Sequence, residues 1–93
     1  MHEKTLQWMR DAVRDRRYVM TTHAEEEMDA EDLSIYDIES GILTGKIAER
    51  QKDRVTGEWK YRIRSRTMGD KAIEIMTKKG PTRKVVIITV YSL

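Results

Sequence analysis

Residues 59–66 read Trp-Lys-Tyr-Arg-Ile-Arg-Ser-Arg, and this strict alternation is the feature that most constrains the fold. Successive side chains of a β-strand point to opposite faces of a sheet, so the segment is predicted to be a strand with two unlike faces. One face carries four cations, which we call the basic row: Lys60, Arg62, Arg64 and Arg66. The other face carries Trp59, Tyr61 and Ile63. Since a buried unpaired cation costs several kcal/mol, the basic row is expected to face solvent while the other side chains pack under helices.

The spacing of the basic row predicts an anionic partner. Side chains on one face of a strand recur about every 6.6 to 6.8 Å. Cations at that spacing repel one another unless a polyanion or an acidic partner lies across them. The row is therefore interpreted as an anion-binding face of a sheet, with nucleic acid as the expected ligand. The alternative is a solvated strand face that nearby acids balance.

Helical spacing of apolar residues predicts two or three helices before this strand. They are expected to run from Glu3 to about Arg17, from His23 to about Asp29, and from Ile35 to Gly45. Thr21 or Thr22 is the expected N-cap of the second helix. Ser34 and Asp37 resemble a capping box at the start of the third, with Asp in place of the usual Glu.

The remaining segments predict short strands joined by turns. They are a β-prone stretch at Tyr18–Thr21 and strands at Lys46–Asp53, Trp59–Arg66, Ala72–Lys78 and Val85–Tyr91. The strand that begins at Lys46 is polar and is expected at an edge, whereas the last strand is apolar on both faces and is expected inside the sheet. The predicted fold is α+β, with two or three N-terminal helices on one face of a three- to five-stranded, mainly antiparallel sheet. One domain is expected over residues 1–93.

The charge is divided unevenly along the chain. Residues 1–45 contain 5 Lys or Arg and 11 Asp or Glu, whereas residues 46–93 contain 13 and 5. Eight acids and no base lie between Glu25 and Glu39. The first half should repel the phosphate backbone that the second half attracts, so one side of the protein is expected to meet nucleic acid.

Residue types that are missing exclude several classes of site. The chain has no cysteine, so disulfides and thiolate zinc sites are excluded, and His2 and His23 are the only strong nitrogen ligands. Neither a metal nor another cofactor is expected. The longest apolar run, at Val85–Val90, is too short to span a bilayer, and no signal-peptide core is seen. We expect a cytoplasmic protein without a membrane partner.

Several short motifs resemble a known family. They are His23-Ala24 followed by Met28, a helix that ends near Gly45, the strand Tyr61-Arg62-Ile63, and the closing Ile87-Ile88-Thr89-Val90-Tyr91. The chain is similar to the bacterial domain-of-unknown-function family 4258 over about residues 18–91, with residues 1–17 as an N-terminal helical extension. Members of that family resemble small ribonuclease toxins of the RelE and BrnT type, which have helices on one face of an antiparallel sheet. Some members are encoded beside small antitoxin-like zinc-finger proteins.

Metal-independent RNA cleavage needs a base for the 2′-hydroxyl, an acid for the leaving oxygen and cations for the phosphoryl oxygens. The candidate catalytic residues are His23, Arg62, Arg64 and Tyr91. Guanidinium groups match phosphate oxygens and stay charged, and an imidazole titrates near neutral pH. The alternatives left open are a structural His23 at a helix start and a Tyr91 that caps the core.

The candidate nucleic-acid-binding residues comprise the basic row together with Arg50 and Lys52 of the preceding strand. Whether these two join the row depends on strand register, which the sequence leaves open. The leading hypothesis is a toxin-like protein that binds RNA, including mRNA on the ribosome, and cleaves it until a cognate antitoxin covers the row. The alternatives are a catalytically inactive module that binds nucleic acid or protein, and a structural protein that forms homo-oligomers.

Overall fold

A computed structural model describes residues 2–93 as three α-helices, five β-strands and a short 3₁₀ helix. The elements are α1 (Glu3–Arg14), β1 (Tyr18–Met20), α2 (Thr22–Ala30), α3 (Ile35–Thr44), β2 (Lys46–Lys52), β3 (Trp59–Arg66), β4 (Ala72–Lys79), the 3₁₀ helix (Pro81–Arg83) and β5 (Val85–Ser92). The helices pack on one sheet, which confirms the predicted α+β fold.

The five strands form one mixed sheet in the order β1-β5-β4-β3-β2. β2 to β5 are antiparallel neighbours, as short connecting turns require, and only β1 pairs in parallel, with Val85 to Ile87 of β5. The polar strand β2 lies at an edge and the apolar strand β5 lies inside, as predicted. β1 covers only the first part of β5, because it has three residues against eight.

The predicted caps of α2 and α3 are confirmed. Thr21 is the N-cap of α2, and its hydroxyl accepts a hydrogen bond from the backbone N–H of Ala24. Ser34 and Asp37 form the full capping box of α3, and Gly45 ends that helix. Gly41 inside α3 serves close packing, since a Cβ there would lie 2.8 Å from Cδ1 of Ile75 in the sheet.

The first helix is shorter than predicted. α1 ends at Arg14, and Arg16 adopts a left-handed backbone conformation with φ of 59°. The carbonyl of Arg17 then accepts a hydrogen bond from the N–H of Val85. The prediction of a helix to Arg17 was wrong because residues 15–17 turn the chain towards its partner strand.

The core lies between the inner face of the sheet and the helices. Met9 and Val13 of α1 and Ile38 and Ile42 of α3 are buried there. The sheet contributes its own buried side chains from three strands: Tyr61, Ile63, Ile73, Ile75, Thr77, Val85, Ile87 and Val90. The hydroxyl of Thr77 donates to the carbonyl of Tyr61, so this polar group within the core is satisfied.

α2 runs along the part of β5 that β1 leaves uncovered. The N–H of Val90 donates to Oε1 of Glu27 at 3.2 Å, and the hydroxyl of Ser92 donates to Oε2 of Glu31 at 2.5 Å. Two of the acids between Glu25 and Glu39 therefore accept hydrogen bonds from donors at the edge of the sheet. No helix among residues 2–93 has the length and apolar composition that crossing a bilayer requires.

Candidate nucleic-acid interface

β3 has the predicted parity, but one of its predicted core residues is not buried. Tyr61 and Ile63 are buried under the helices, and the side chains of Arg64 and Arg66 are 58% and 63% exposed on the outer face. The expectation that Trp59 packs in the core was wrong, because its side chain is 40% exposed. It is the first residue of β3 and lies opposite Lys52, next to the turn that joins β2 to β3.

A buried carboxylate lies in the middle of this outer face. Glu74 of β4 is opposite both Arg64 of β3 and Tyr91 of β5, and it is only 2% exposed. Arg64 donates to Oε2 of Glu74 from Nε at 2.9 Å and from Nη2 at 2.7 Å. Nη1 of Arg62 lies 3.2 and 3.0 Å from the two carboxylate oxygens, and the hydroxyl of Tyr91 donates to Oε1. We call these four residues the Glu74 cluster: Arg62, Arg64, Glu74 and Tyr91.

The hydrogen bonds of the Glu74 cluster hold its carboxylate ionised. Burial is the largest single influence on the pKa of Glu74 and acts to raise it, but the bonds from Tyr91, Arg64 and Arg62 together outweigh burial. The pKa of Glu74 is therefore lowered from its ordinary value of 4.5. The bond to this carboxylate, followed by burial, raises the pKa of Tyr91, so that phenol keeps its proton near neutral pH.

Carboxylates of the chain pair with every member of the basic row. Arg62 also contacts Glu49 at 2.8 Å, Lys60 contacts Asp53 at 3.1 Å and Arg66 contacts Asp70 at 3.4 Å. The expectation that the row requires an external anion was therefore wrong, since neighbouring strands and turns bring acids to it. The alternative of a face balanced by nearby acids describes Lys60 and Arg62 well, whereas Arg64 and Arg66 remain largely accessible.

Asp53 shows how these acids are held. Its carboxylate accepts hydrogen bonds from the backbone N–H groups of Thr56 and Val55 in the turn after β2. The Thr56 bond, the contact with Lys60 and the Val55 bond lower the pKa of Asp53 well below its ordinary value. Lys60 is therefore paired with a permanent anion at neutral pH.

Arg50 and Lys52 lie on the opposite face from the basic row. They are register partners of Tyr61 and Trp59. The guanidinium carbon of Arg50 lies 4.0 Å from the ring centroid of Trp59, and Nζ of Lys52 lies 5.8 Å from it. These two candidates do not extend the basic row but surround the exposed indole, where cation–π attraction accounts for their positions.

His23 and Tyr91 have separate environments. Tyr91 lies in the Glu74 cluster, whereas exposed His23 is in the first turn of α2, with Nε2 3.2 Å from Oε1 of Glu27. Among residues 2–93, no hydrogen bond or ion pair joins His23 to the Glu74 cluster. The contacts of His23 fit the structural alternative stated for it.

Sequence reasoning missed Glu74 and Lys46. Glu74 is a single acid between Ile73 and Ile75 in an otherwise apolar strand, and this isolated charge was the available signal. Lys46 is the register partner of Arg64, and only the pairing of β2 with β3 brings it to the outer face. Among residues 2–93, no three side chains of the His, Asp and Glu types come together as a metal site would require.

Comparisons with known proteins give one match. A family model described as a domain of unknown function (DUF4258) matches residues 20–92, which is more than three quarters of the chain. Neither a curated protein nor a solved structure matches it. The match begins within β1 and ends within β5, so it includes every residue of the Glu74 cluster.

Proposed function

This chain belongs to the domain-of-unknown-function family DUF4258, and on that premise we propose that it is a toxin-like protein of the RelE and BrnT kind. In this proposal the outer face of the sheet binds RNA and the Glu74 cluster cleaves it without a metal. The proposal also assigns the protein to the cytoplasm, where mRNA and ribosomes are found.

The observation that carries the proposal is the buried, ionised Glu74 on an otherwise solvent-facing side of the sheet. Removing a carboxylate from water is costly, and such groups concentrate at functional sites. Two guanidinium groups and a phenol converge on this carboxylate. They are the kinds of group that hold phosphoryl oxygens and transfer protons.

The cluster can be assigned roles in cleavage through the RNA 2′-hydroxyl. Arg64 keeps Nη1 free of hydrogen bonds within the described chain and can hold a phosphoryl oxygen. As the 2′-oxygen attacks phosphorus, its proton passes to the Tyr91 oxygen while the phenol proton passes to Glu74. The bond from phosphorus to the 5′-oxygen then breaks, and water protonates that oxygen, since His23 lies elsewhere. The hydroxide that remains takes up the proton from Glu74 and restores its carboxylate. A 2′,3′-cyclic phosphate and a 5′-hydroxyl result.

The same geometry predicts that cleavage is slow. Glu74 is a weak base because its pKa is lowered, and Tyr91 holds its proton tightly because its pKa is raised. Each proton transfer therefore starts from an unfavourable state. A slow ribonuclease of this kind would depend on ribosome-bound or otherwise immobilised mRNA to present its substrate.

The second candidate function is a catalytically inactive module that binds RNA or an acidic protein. The pairing of each basic-row cation with a carboxylate of the chain favours it. Those pairs lower the net positive charge of the face and hold Arg62 in place. A ligand would then be bound mainly through the accessible Arg64 and Arg66.

In the toxin reading, a cognate antitoxin is the expected protein partner. An acidic antitoxin segment placed across Arg64 and Arg66 would compete with RNA for the same guanidinium groups. Antitoxin binding would thereby silence the protein without altering its fold.

The test combines expression in bacteria with assays on purified protein. We expect growth arrest with cleaved RNA from the natural protein, and roughly a hundredfold slower cleavage from Tyr91→Phe and Arg64→Ala. Arg54→Ala, at an exposed position in the turn after β2, is the matched control and should cleave normally. Circular dichroism establishes that each variant folds.

Two results would separate the candidates. Salt-dependent RNA binding without a cleavage product would reject the ribonuclease and support the binding module. Normal growth, intact RNA and no RNA binding at low salt would reject both the ribonuclease and the RNA-binding module, and would leave a module that binds an acidic protein.

A further inference from the structure

A cavity of about 480 Å³ opens beside the Glu74 cluster, where α3 passes into β2. Its lining includes three cations, Lys46, Arg64 and Arg66, and two hydroxyl-bearing residues, Thr44 and Ser65. The volume lies within the range of about 300 to 1,000 Å³ that is usual for small-molecule sites. Arg64 belongs to both the cavity and the cluster.

The charge of the cavity differs from that of the rest of the outer face. Within residues 2–93 its lining contains no carboxylate, although Arg64 and Arg66 contact Glu74 and Asp70 outside the lining. Lys46 is exposed and has no ion pair within residues 2–93. The side chains of Arg64 and Arg66 are more than half exposed, so all three cations are accessible to an anion. Focusing of positive charge in a concave site favours a multiply charged anion such as phosphate.

The remaining lining provides polar groups and space. The hydroxyls of Thr44 and Ser65 lie 3.4 Å apart and can both contact a ligand oxygen or ring nitrogen. The other lining residues, Gly45, Ala48 and Ala72, are small. These small residues, beside three long cationic side chains, leave space for a flat ring such as a nucleotide base.

The shape of the cavity depends on a close approach at Gly45. A Cβ at this position would lie 2.5 Å from the carbonyl oxygen of Gly41 and 2.8 Å from that of Arg64. Arg10 of α1 donates to the Gly45 carbonyl at 2.8 Å and holds this junction against the helical layer. Closely packed backbone therefore fixes the shape of the cavity on its α3 side.

We infer that this cavity binds one nucleotide of a single-stranded RNA. Its phosphate contacts Lys46, Arg64 and Arg66, and its base lies on the small residues. This inference rests on the proposed RNA-binding function and deepens it by naming where the nucleotide next to the Glu74 cluster is held. Because Arg64 contacts Glu74 and also lines the cavity, a phosphate bound there lies beside the Glu74 cluster.

The experiment uses adenosine 3′-monophosphate, since cleavage through a 2′-hydroxyl leaves phosphate on the 3′ side. Titration into ¹⁵N-labelled protein should shift the amide resonances of Lys46, Ser65 and Arg66. Adenosine without phosphate should bind at least roughly tenfold more weakly, as should the nucleotide to Lys46→Ala or Arg66→Ala. Lys84→Ala, at an exposed lysine remote from the cavity lining, is the charge-matched control and should bind like the natural protein.

Parallel measurement of RNA binding distinguishes this inference from the proposed function. If RNA binds while the nucleotide leaves the cavity resonances unchanged, the cavity inference is overturned and the proposed function stands. If the nucleotide binds in the cavity but RNA does not bind, the cavity stands as a nucleotide site, whereas its assignment to RNA and the proposed function are both rejected. Equal nucleotide affinity in Lys46→Ala, Arg66→Ala and Lys84→Ala would also overturn the inference.

Discussion

The hydroxyl of Tyr91 donates a hydrogen bond to Oε1 of Glu74, and this bond joins β5 to the buried carboxylate of β4 on the outer face of the sheet. Arg62 and Arg64 reach the same carboxylate from β3. Three adjacent strands therefore meet at one ionised group. The free energy of unfolding should therefore depend strongly on the charge of the Glu74 carboxylate.

We expect Glu74→Gln to lower the free energy of unfolding by about 1 to 3 kcal/mol at pH 7, because it removes the negative charge and replaces one of the two oxygens that accept from Arg62, Arg64 and Tyr91 with an NH2 donor. Folding lowers the pKa of Glu74 below 4.5, so its contribution is complete above that pH and is lost as pH falls through the lowered pKa. The difference in unfolding free energy between the natural protein and Glu74→Gln should therefore shrink as pH falls below about 4.5. Urea unfolding at a series of pH values measures it.

Glu49→Gln is the matched control for that prediction, since Glu49 contacts the same Arg62 but is exposed. Its loss should be clearly smaller at every pH. A gap for Glu74→Gln that stays constant from pH 7 to pH 3 would contradict the stabilising role of the ionised carboxylate.

Trp59 and Ile63 lie on the same face of β3, but their substitution is predicted to lower the unfolding free energy by unequal amounts. Ile63 is fully buried, so Ile63→Ala should cost about 2 to 5 kcal/mol of unfolding free energy. Trp59→Ala should cost less than Ile63→Ala although it removes a larger side chain, because the indole is 40% exposed and lies against the side chains of Arg50 and Lys52. Denaturant titration of both variants provides the comparison, and a larger cost at Trp59 would place it in the core after all.

Glu27 is predicted to protect the edge of β5. Glu27→Ala removes the acceptor of the Val90 N–H, so hydrogen exchange at that amide should accelerate by roughly tenfold. Glu26→Ala changes the neighbouring exposed acid and should leave the Val90 rate unaltered. Equal exchange rates in the two variants would show that the contact does not protect the edge.

Gly45→Ala should destabilise the fold by about 1 to 3 kcal/mol, since its new methyl group would meet two backbone oxygens within 2.8 Å. Gly69 provides the control, because a Cβ there meets only the Thr67 hydroxyl, at 3.8 Å. Gly69→Ala should stay within about 0.5 kcal/mol of the natural protein. Thermal unfolding followed by circular dichroism separates these outcomes, and equal midpoints would contradict the tight junction.

Local patterns predicted the elements well because the signals lie within each segment. The alternation from Trp59 to Arg66 predicted β3 to the residue, and Ser34 with Asp37 predicted the start of α3. Strand register is set by contacts between distant segments, so the sequence did not indicate that Glu74 lies opposite Arg64. For the same reason it left open that Arg50 and Lys52 surround Trp59 rather than extend the basic row.

The unequal edges of the sheet limit how copies of this protein can join through their backbones. On one side β1 offers three residues, and beyond them the acids of α2 occupy the hydrogen-bonding groups of β5. On the other side β2 offers seven residues, interrupted by a bulge at Ala48. Strand addition is therefore favoured at the β2 margin, and two molecules that met there would leave only the three-residue β1 strands for further growth. Short margins of this kind oppose polymerisation into a fibril beyond a pair.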